Sequence, residues 1–203
     1  MLETVLQVGR EFTCEFTQDP YLCYTEHGQH AYFYNQLFSA IPGEERFTYF
    51  QDQRVCILQK EYPTHSHVGR SQRQHWDISV IRTPTESTNP NYQSFDYLRL
   101  NVIAEFGLNA HPAHLEDDIE RMMHADANAD HLVAFHLYRL GEHAGRLSRR
   151  DISQNSTAFA SLNECLQCIG NHPVHFFYAV YNPNGESSAW YSFHGETQQI
   201  HNQ

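Results

Sequence analysis

Two stretches decide how this chain reads: HWDISVIR at His75–Arg82 and LRLNVIAEFG at Leu98–Gly107. Both are rich in β-branched and large apolar residues, the mark of a buried strand. Each carries one carboxylate inside that apolar run. Side chains alternate faces along a strand. Asp77, Ser79 and Ile81 therefore share one face of the first strand, and Asn101, Ile103, Glu105 and Gly107 share one face of the second. A carboxylate in such surroundings needs a cleft or a partner to offset its desolvation. Two of them on neighbouring strands can hold Mg2+ or Mn2+, with water and phosphate oxygens completing the shell. A metal so held can activate water for attack on a phosphodiester.

Outward from these strands, Arg54–Glu61 (RVCILQKE) predicts another strand upstream. Before it, Asp19-Pro20 reads as a helix start, with proline at the first helical position. The segment Tyr21–Ile41 reads as the helix, with Ala31, Tyr34, Leu37, Phe38 and Ile41 as its apolar stripe and Pro42-Gly43 as its stop. Glu26 precedes His30, Tyr34, Leu37 and Ile41 on one helical face and should point inward near the helix end. The polar segment Thr83–Phe95 reads as a loop. Downstream, a helix from Pro112 carries Leu115, Ile119, Met122 and Met123 at helical spacing, with Glu116, Asp117 and Asp118 near its positive end. A strand at His131–Leu140, a loop with Arg146, Arg149 and Arg150, a helix at Thr157–Ile169 and a strand at Val174–Tyr181 follow. The turn Asn182–Gly185 leads to a short returning strand at Ala189–Phe193. The order is α-β-β-β-α-β and then α-β. It predicts an α/β fold, a mixed central sheet flanked by helices. We read residues 1–203 as a single domain, with a core at about 20–140 and a C-terminal helix-strand extension at 141–203.

Composition narrows the function. Thirteen Phe, twelve Tyr and two Trp supply a real core. No apolar run is long enough to span a membrane, and Met1–Arg10 lacks the pattern of a secretory signal. Five irregularly spaced cysteines (Cys14, Cys23, Cys56, Cys165, Cys168) do not describe a disulfide scaffold, so a reducing cytoplasmic setting is expected. Thirteen basic residues against 24 acidic give a net charge of −11. Tight unaided nucleic-acid binding rests on phosphate attraction, which this balance opposes. A protein partner with a basic surface would restore it.

Glu26 on a first helix, the strand HWDISVI and the strand NVIAEFGLN together resemble the PD-(D/E)xK (restriction-endonuclease-like) nuclease superfamily. The helix HLEDDIERM and the strand HLVAFHLYRL fall where that family places its next elements. The resemblance covers roughly Pro20 to Leu140. It implies that Asp77 and Glu105 bind metal and that Glu26 is the auxiliary acid of the first helix. The family's third motif is acid, any residue, lysine, and here it reads Glu105-Phe106-Gly107. Lys60, the only lysine of the chain, would have to take that role from another strand; Arg73 and Gln74 are weaker substitutes. The implied activity is a divalent-metal-dependent nuclease acting on DNA or RNA within a complex. The alternative is a nuclease fold that has lost catalysis and serves as a protein-interaction or regulatory module.

Plainer readings compete at each residue. Asp77 could cap a turn, Glu105 could pair with Arg99 or Arg54, and Glu26 could be an exposed helix acid. The acidic run Glu116–Glu120 reads as a solvated face. Cys165 and Cys168 read as core packing; a zinc site would need them to converge with His172 and His175. His65, His67, His111 and His114 read as loop and cap residues. No phosphate-loop, dinucleotide-binding or nucleophile-elbow motif occurs.

Overall fold

The computed structural model describes residues 1–89, 94–142, 146–183, 189–194 and 197–202. Parts of the predicted Thr83–Phe95 loop, of the loop before Arg146 and of the Asn182–Gly185 turn lie outside them. The chain opens with two helices, α1 (Leu2–Gln18) and α2 (Glu26–Ala40). A small hairpin follows, β1 (Phe47–Phe50) and β2 (Gln53–Cys56). Then come β3 (Leu58–Pro63), β4 (His75–Ile81), β5 (Leu100–Leu108), α3 (Pro112–Met122), β6 (Ala129–Arg139), α4 (Leu162–Ile169), β7 (Val174–Tyr181), β8 (Ala189–His194) and β9 (Thr197–Asn202).

Strands β3 to β9 form one seven-stranded sheet in chain order. The two outer pairs on each side are antiparallel, while β5, β6 and β7 run parallel. Strands β5, β6 and β7 are buried on both faces, which is why they read as continuous apolar runs rather than alternating ones. Helices α1 and α2 cover one face, where Phe12 and Phe33 pack edge-on to Phe106 and Phe135. Helices α3 and α4 cover the other, where Tyr138 meets Phe159 and the Tyr178 hydroxyl donates to the Ala160 carbonyl.

The expected α/β architecture is present, with corrections. The region before Asp19 is itself a helix: Val5, Val8, Phe12 and Phe16 are buried at helical spacing. Asp19-Pro20 closes α1 instead of opening α2. The start of α2 is set by Thr25, whose hydroxyl accepts from the Gly28 amide. The expected strand Arg54–Glu61 is two strands. Residues Gln51 and Asp52 take left-handed conformations in the tight turn of the β1–β2 hairpin. At Ile57 the chain leaves that hairpin for the main sheet, its amide bonded back to Arg46 and its carbonyl to Ile81. β9 was not expected.

Candidate functional site

The site forms where β4 parts from β5. Their pairing runs from Ile81↔Leu100 to Ile78↔Ala104 and is not continued at Asp77. Opposite the break, Glu61 adopts a left-handed backbone, φ 54°. Beyond it the β3–β4 hairpin swings to the α3 side: Trp76 lies beside Arg121, and Arg70 pairs with Asp117.

This departure strips β5 of its neighbour, so the amides of Phe106 and Leu108 lose a strand partner. Unpaired backbone donors are costly. Asp77 Oδ2 accepts from Phe106 N at 2.9 Å, and Glu26 Oε2 accepts from Leu108 N at 2.8 Å. The two acids thus arrive side by side from β4 and from the first turn of α2. Glu26 is neither a turn cap nor a free surface acid, and Asp77 is not a turn cap.

Glu105 faces α3. It is almost fully buried, and its partner is Arg121, 3.3 Å away, not Arg99 or Arg54. Arg99 pairs with Asp130, and Arg54 stacks on Phe47. Arg121 also reaches Asp118 at 2.5 Å. Asp118 is 1% exposed, which corrects the reading of the acidic run as uniformly solvated. It lies three residues after Leu115 and four before Met122, on the buried stripe of α3.

Burial pushes the Asp77 carboxyl up to about 6, with the Phe106 amide pulling the other way and the charge of Glu26 adding to the rise. Burial, then the charges of Asp77 and Asp118, hold Glu105 well above the usual carboxylate range against the opposing pull of Arg121. Burial also acts to raise Asp118, but His136, His114 and Arg121 outweigh it and the net shift is down. His136 Nε2 stands 4.0 Å from Asp118 Oδ2, too far for a hydrogen bond; neither atom has a hydrogen-bond partner, though His114 Nε2 lies 3.5 Å from the same Asp118 oxygen.

Gly107, where the resemblance to the nuclease superfamily would place a lysine, has little room for a side chain. Gly107 pairs with His136 across β5 and β6. A Cβ at Gly107 would stand 2.7 Å from the His136 ring, closer than real contacts allow. The imidazole fills the space that a lysine stem would need.

Lys60 lies on the other side of the sheet. It pairs with Ile78, and alternation sets both toward α2. The left-handed turn at Glu61 breaks the alternation expected of this strand, so Lys60 and Glu61 do not diverge; Lys60 Nζ lies 3.5 Å from Glu61 Oε1. Next to them is His30, 1% exposed, with Nε2 3.5 Å from Asp77 Oδ2. Burial, helped by the charges of Lys60 and His27, lowers the His30 imidazole to about 3. Arg73 is held away, bonded to the Thr64 carbonyl and to Asp96.

The arginine-bearing loop also borders this end of the sheet. Asn109 donates to the Arg150 carbonyl, Ser148 Oγ donates to the Tyr24 hydroxyl, and the Arg150 guanidinium lies 5.1 Å from the Tyr24 ring. Residues 24 and 109 flank Glu26 and Leu108. Buried Arg139 fixes the approach to α2 by donating to the carbonyls of Pro20 and Tyr24.

Other expectations resolve as packing. Cys165 is buried, Cys168 lies 3.8 Å from Glu116 Oε1, and His175 stacks on His194; among the described residues these do not converge as metal ligands. His111 caps α3. Among the described residues no helix is long and apolar enough to cross a membrane. Sequence reasoning missed Arg121, Asp118 and His136. The first two carried a signal in their spacing on α3. His136 carried none beyond its place in an apolar strand.

In comparisons with known proteins, no family model, curated protein or solved structure matches the chain.

Proposed function

We propose that this chain is a divalent-metal-dependent phosphodiesterase of the PD-(D/E)xK nuclease-like kind, cleaving DNA or RNA. The observation that carries the reading is that Asp77, bound to the end of β5 beside Glu26, also lies close enough to Glu105 for its charge to act there, at the point where β4 leaves β5. The end of a parallel strand beside a helix start is where open α/β sheets receive ligands. In this reading Asp77 and Glu105 bind Mg2+ or Mn2+, Glu26 holds the neighbouring strand end, and the ion generates the nucleophile from water. The Arg146–Arg150 loop at the same end supplies cations for the substrate phosphates. Lys60 is the remaining candidate for the role of the missing lysine. Its ammonium approaches from the α2 side through His30 and Glu61. The net charge of −11 calls for a basic protein partner to hold a nucleic acid.

A second reading rests on Arg121. Its guanidinium stands beside Glu105 where a metal ion would draw charge. A domain that neutralises its own ligand in this way keeps the scaffold and serves as an interaction or regulatory module for a basic partner.

Cleavage of end-labelled single- and double-stranded DNA and RNA with Mg2+ or Mn2+ separates the two. The nuclease reading expects metal-dependent products that vanish in Asp77→Asn and in Glu105→Gln. Products that persist in both variants, or none from any substrate, would favour the second.

A further inference from the structure

The α2 side of the same sheet edge carries a second set of ligands that the carboxylate pair leaves unused. His27 and His30 lie three positions apart on α2 and so share a face. Glu61 meets them from β3. One ligand atom from each of these three residues lies within 4.8 Å of the other two, and His27 Nδ1 is 3.9 Å from Glu61 Oε1. His30 sets this group apart from a chance meeting of surface side chains. It is 1% exposed, aimed at this corner, and neither of its ring nitrogens has a hydrogen-bond partner. Buried imidazole nitrogens without partners are uncommon in folded proteins and call for an explanation.

We propose that His27, His30 and Glu61 form a binding site for a borderline transition-metal dication of the Zn2+ or Co2+ class. Two imidazoles and one carboxylate are the donors such ions prefer, whereas Mg2+ favours oxygen alone. Asp77 Oδ2, 3.5 Å from His30 Nε2, borders the site as a further oxygen. Atoms bound to one tetrahedral ion stand roughly 3.4 Å apart, so the group must close by about an ångström. Exposed His27 and Glu61 can do this by rotation, while buried His30 is the fixed point. Lys60 now balances Glu61 at 3.5 Å. An incoming ion takes over that carboxylate, and the partly exposed ammonium moves into water. Removing the lysine charge should therefore tighten binding. The site uses neither Glu26 nor Glu105 and stands whether or not the chain cleaves phosphodiesters.

Titration of the full chain with Co2+, followed by visible absorption and by calorimetry with Zn2+, tests the proposal. The expected result is saturable binding with the ligand-field bands of a nitrogen-bound ion. His27→Ala and Glu61→Gln, both at exposed positions, weaken it by at least about ten-fold. Lys60→Gln tightens it. If His27→Ala and Glu61→Gln bind as the wild type does, the ion sits elsewhere among the 15 histidines and the proposal fails. It fails equally if the wild type shows no saturable binding, or if Glu105→Gln abolishes binding while His27→Ala does not.

Discussion

The two sides of the sheet at the end of β5 hold similar inventories and treat them differently. On the α3 side, Glu105, Asp118 and Arg121 form a buried group joined at 2.5 and 3.3 Å, with the His136 ring packed on Gly107 and Glu105 Oε1, Asp118 Oδ2 and His136 Nε2 still without hydrogen-bond partners. On the α2 side, Glu26, His27, His30, Lys60 and Glu61 are looser and more exposed, apart from His30, which is buried without hydrogen-bond partners. Asp77 stands between, bonded to the Phe106 amide and close to His30. The contrast is one of burial and freedom to move: the α3 group is enclosed, while most of the α2 group can rotate in solvent. Buried polar atoms without hydrogen-bond partners remain on both sides, and such atoms call for a ligand or another explanation.

Breaking the closed side should have the largest effect. Arg121→Met leaves two buried carboxylates without their counter-charge, and the loss of one member of such a group typically costs about 3–5 kcal/mol. Urea denaturation should show it, with part recovered in Arg121→Met/Glu105→Gln. A loss under about 1 kcal/mol would mean that this arginine does not hold the face together. Gly107→Ala comes next. Its methyl meets the His136 ring and one of the two strands must shift, at about 1–3 kcal/mol. A neutral outcome would show that the ring has room to move.

The boundary residue gives a smaller, pH-dependent effect. The folded chain raises Asp77 from 3.8 to about 6, so folding favours its protonated form. That stabilisation is complete below about pH 4 and is lost as pH rises through about 6. Asp77→Asn should therefore gain stability relative to wild type between pH 4 and pH 7, by on the order of 1–3 kcal/mol. His30 works in the opposite sense. Its neutral form is favoured by folding, so its contribution is complete above about 6.5 and fades as pH falls toward about 3. Comparing variant with wild type at each pH cancels most of that histidine term. A difference that stays flat with pH would contradict the raised carboxyl.

Much of the sheet was legible because β4 to β7 are long apolar runs that only a two-sided burial explains. The carboxylates were legible for the same reason, being out of place in those runs. What each carboxylate touches was less so. Arg121 comes from a helix that follows β5, and only packing brings it back over Glu105. The sidedness of Lys60 and Glu61 depended on a left-handed residue in a strand, which no alternation rule anticipates. For α1 the sequence does carry the signal, since Val5, Val8, Phe12 and Phe16 spell an amphipathic helix.

We propose above that the carboxylates at the parting of β4 and β5 bind a catalytic divalent ion. Calorimetric titration of Mg2+ and Mn2+ into the wild type and into Asp77→Ala/Glu105→Ala tests it most directly. The wild type should show saturable binding that the double variant loses. Absence of binding to the wild type, with or without nucleic acid present, or equal binding by both proteins, would contradict it.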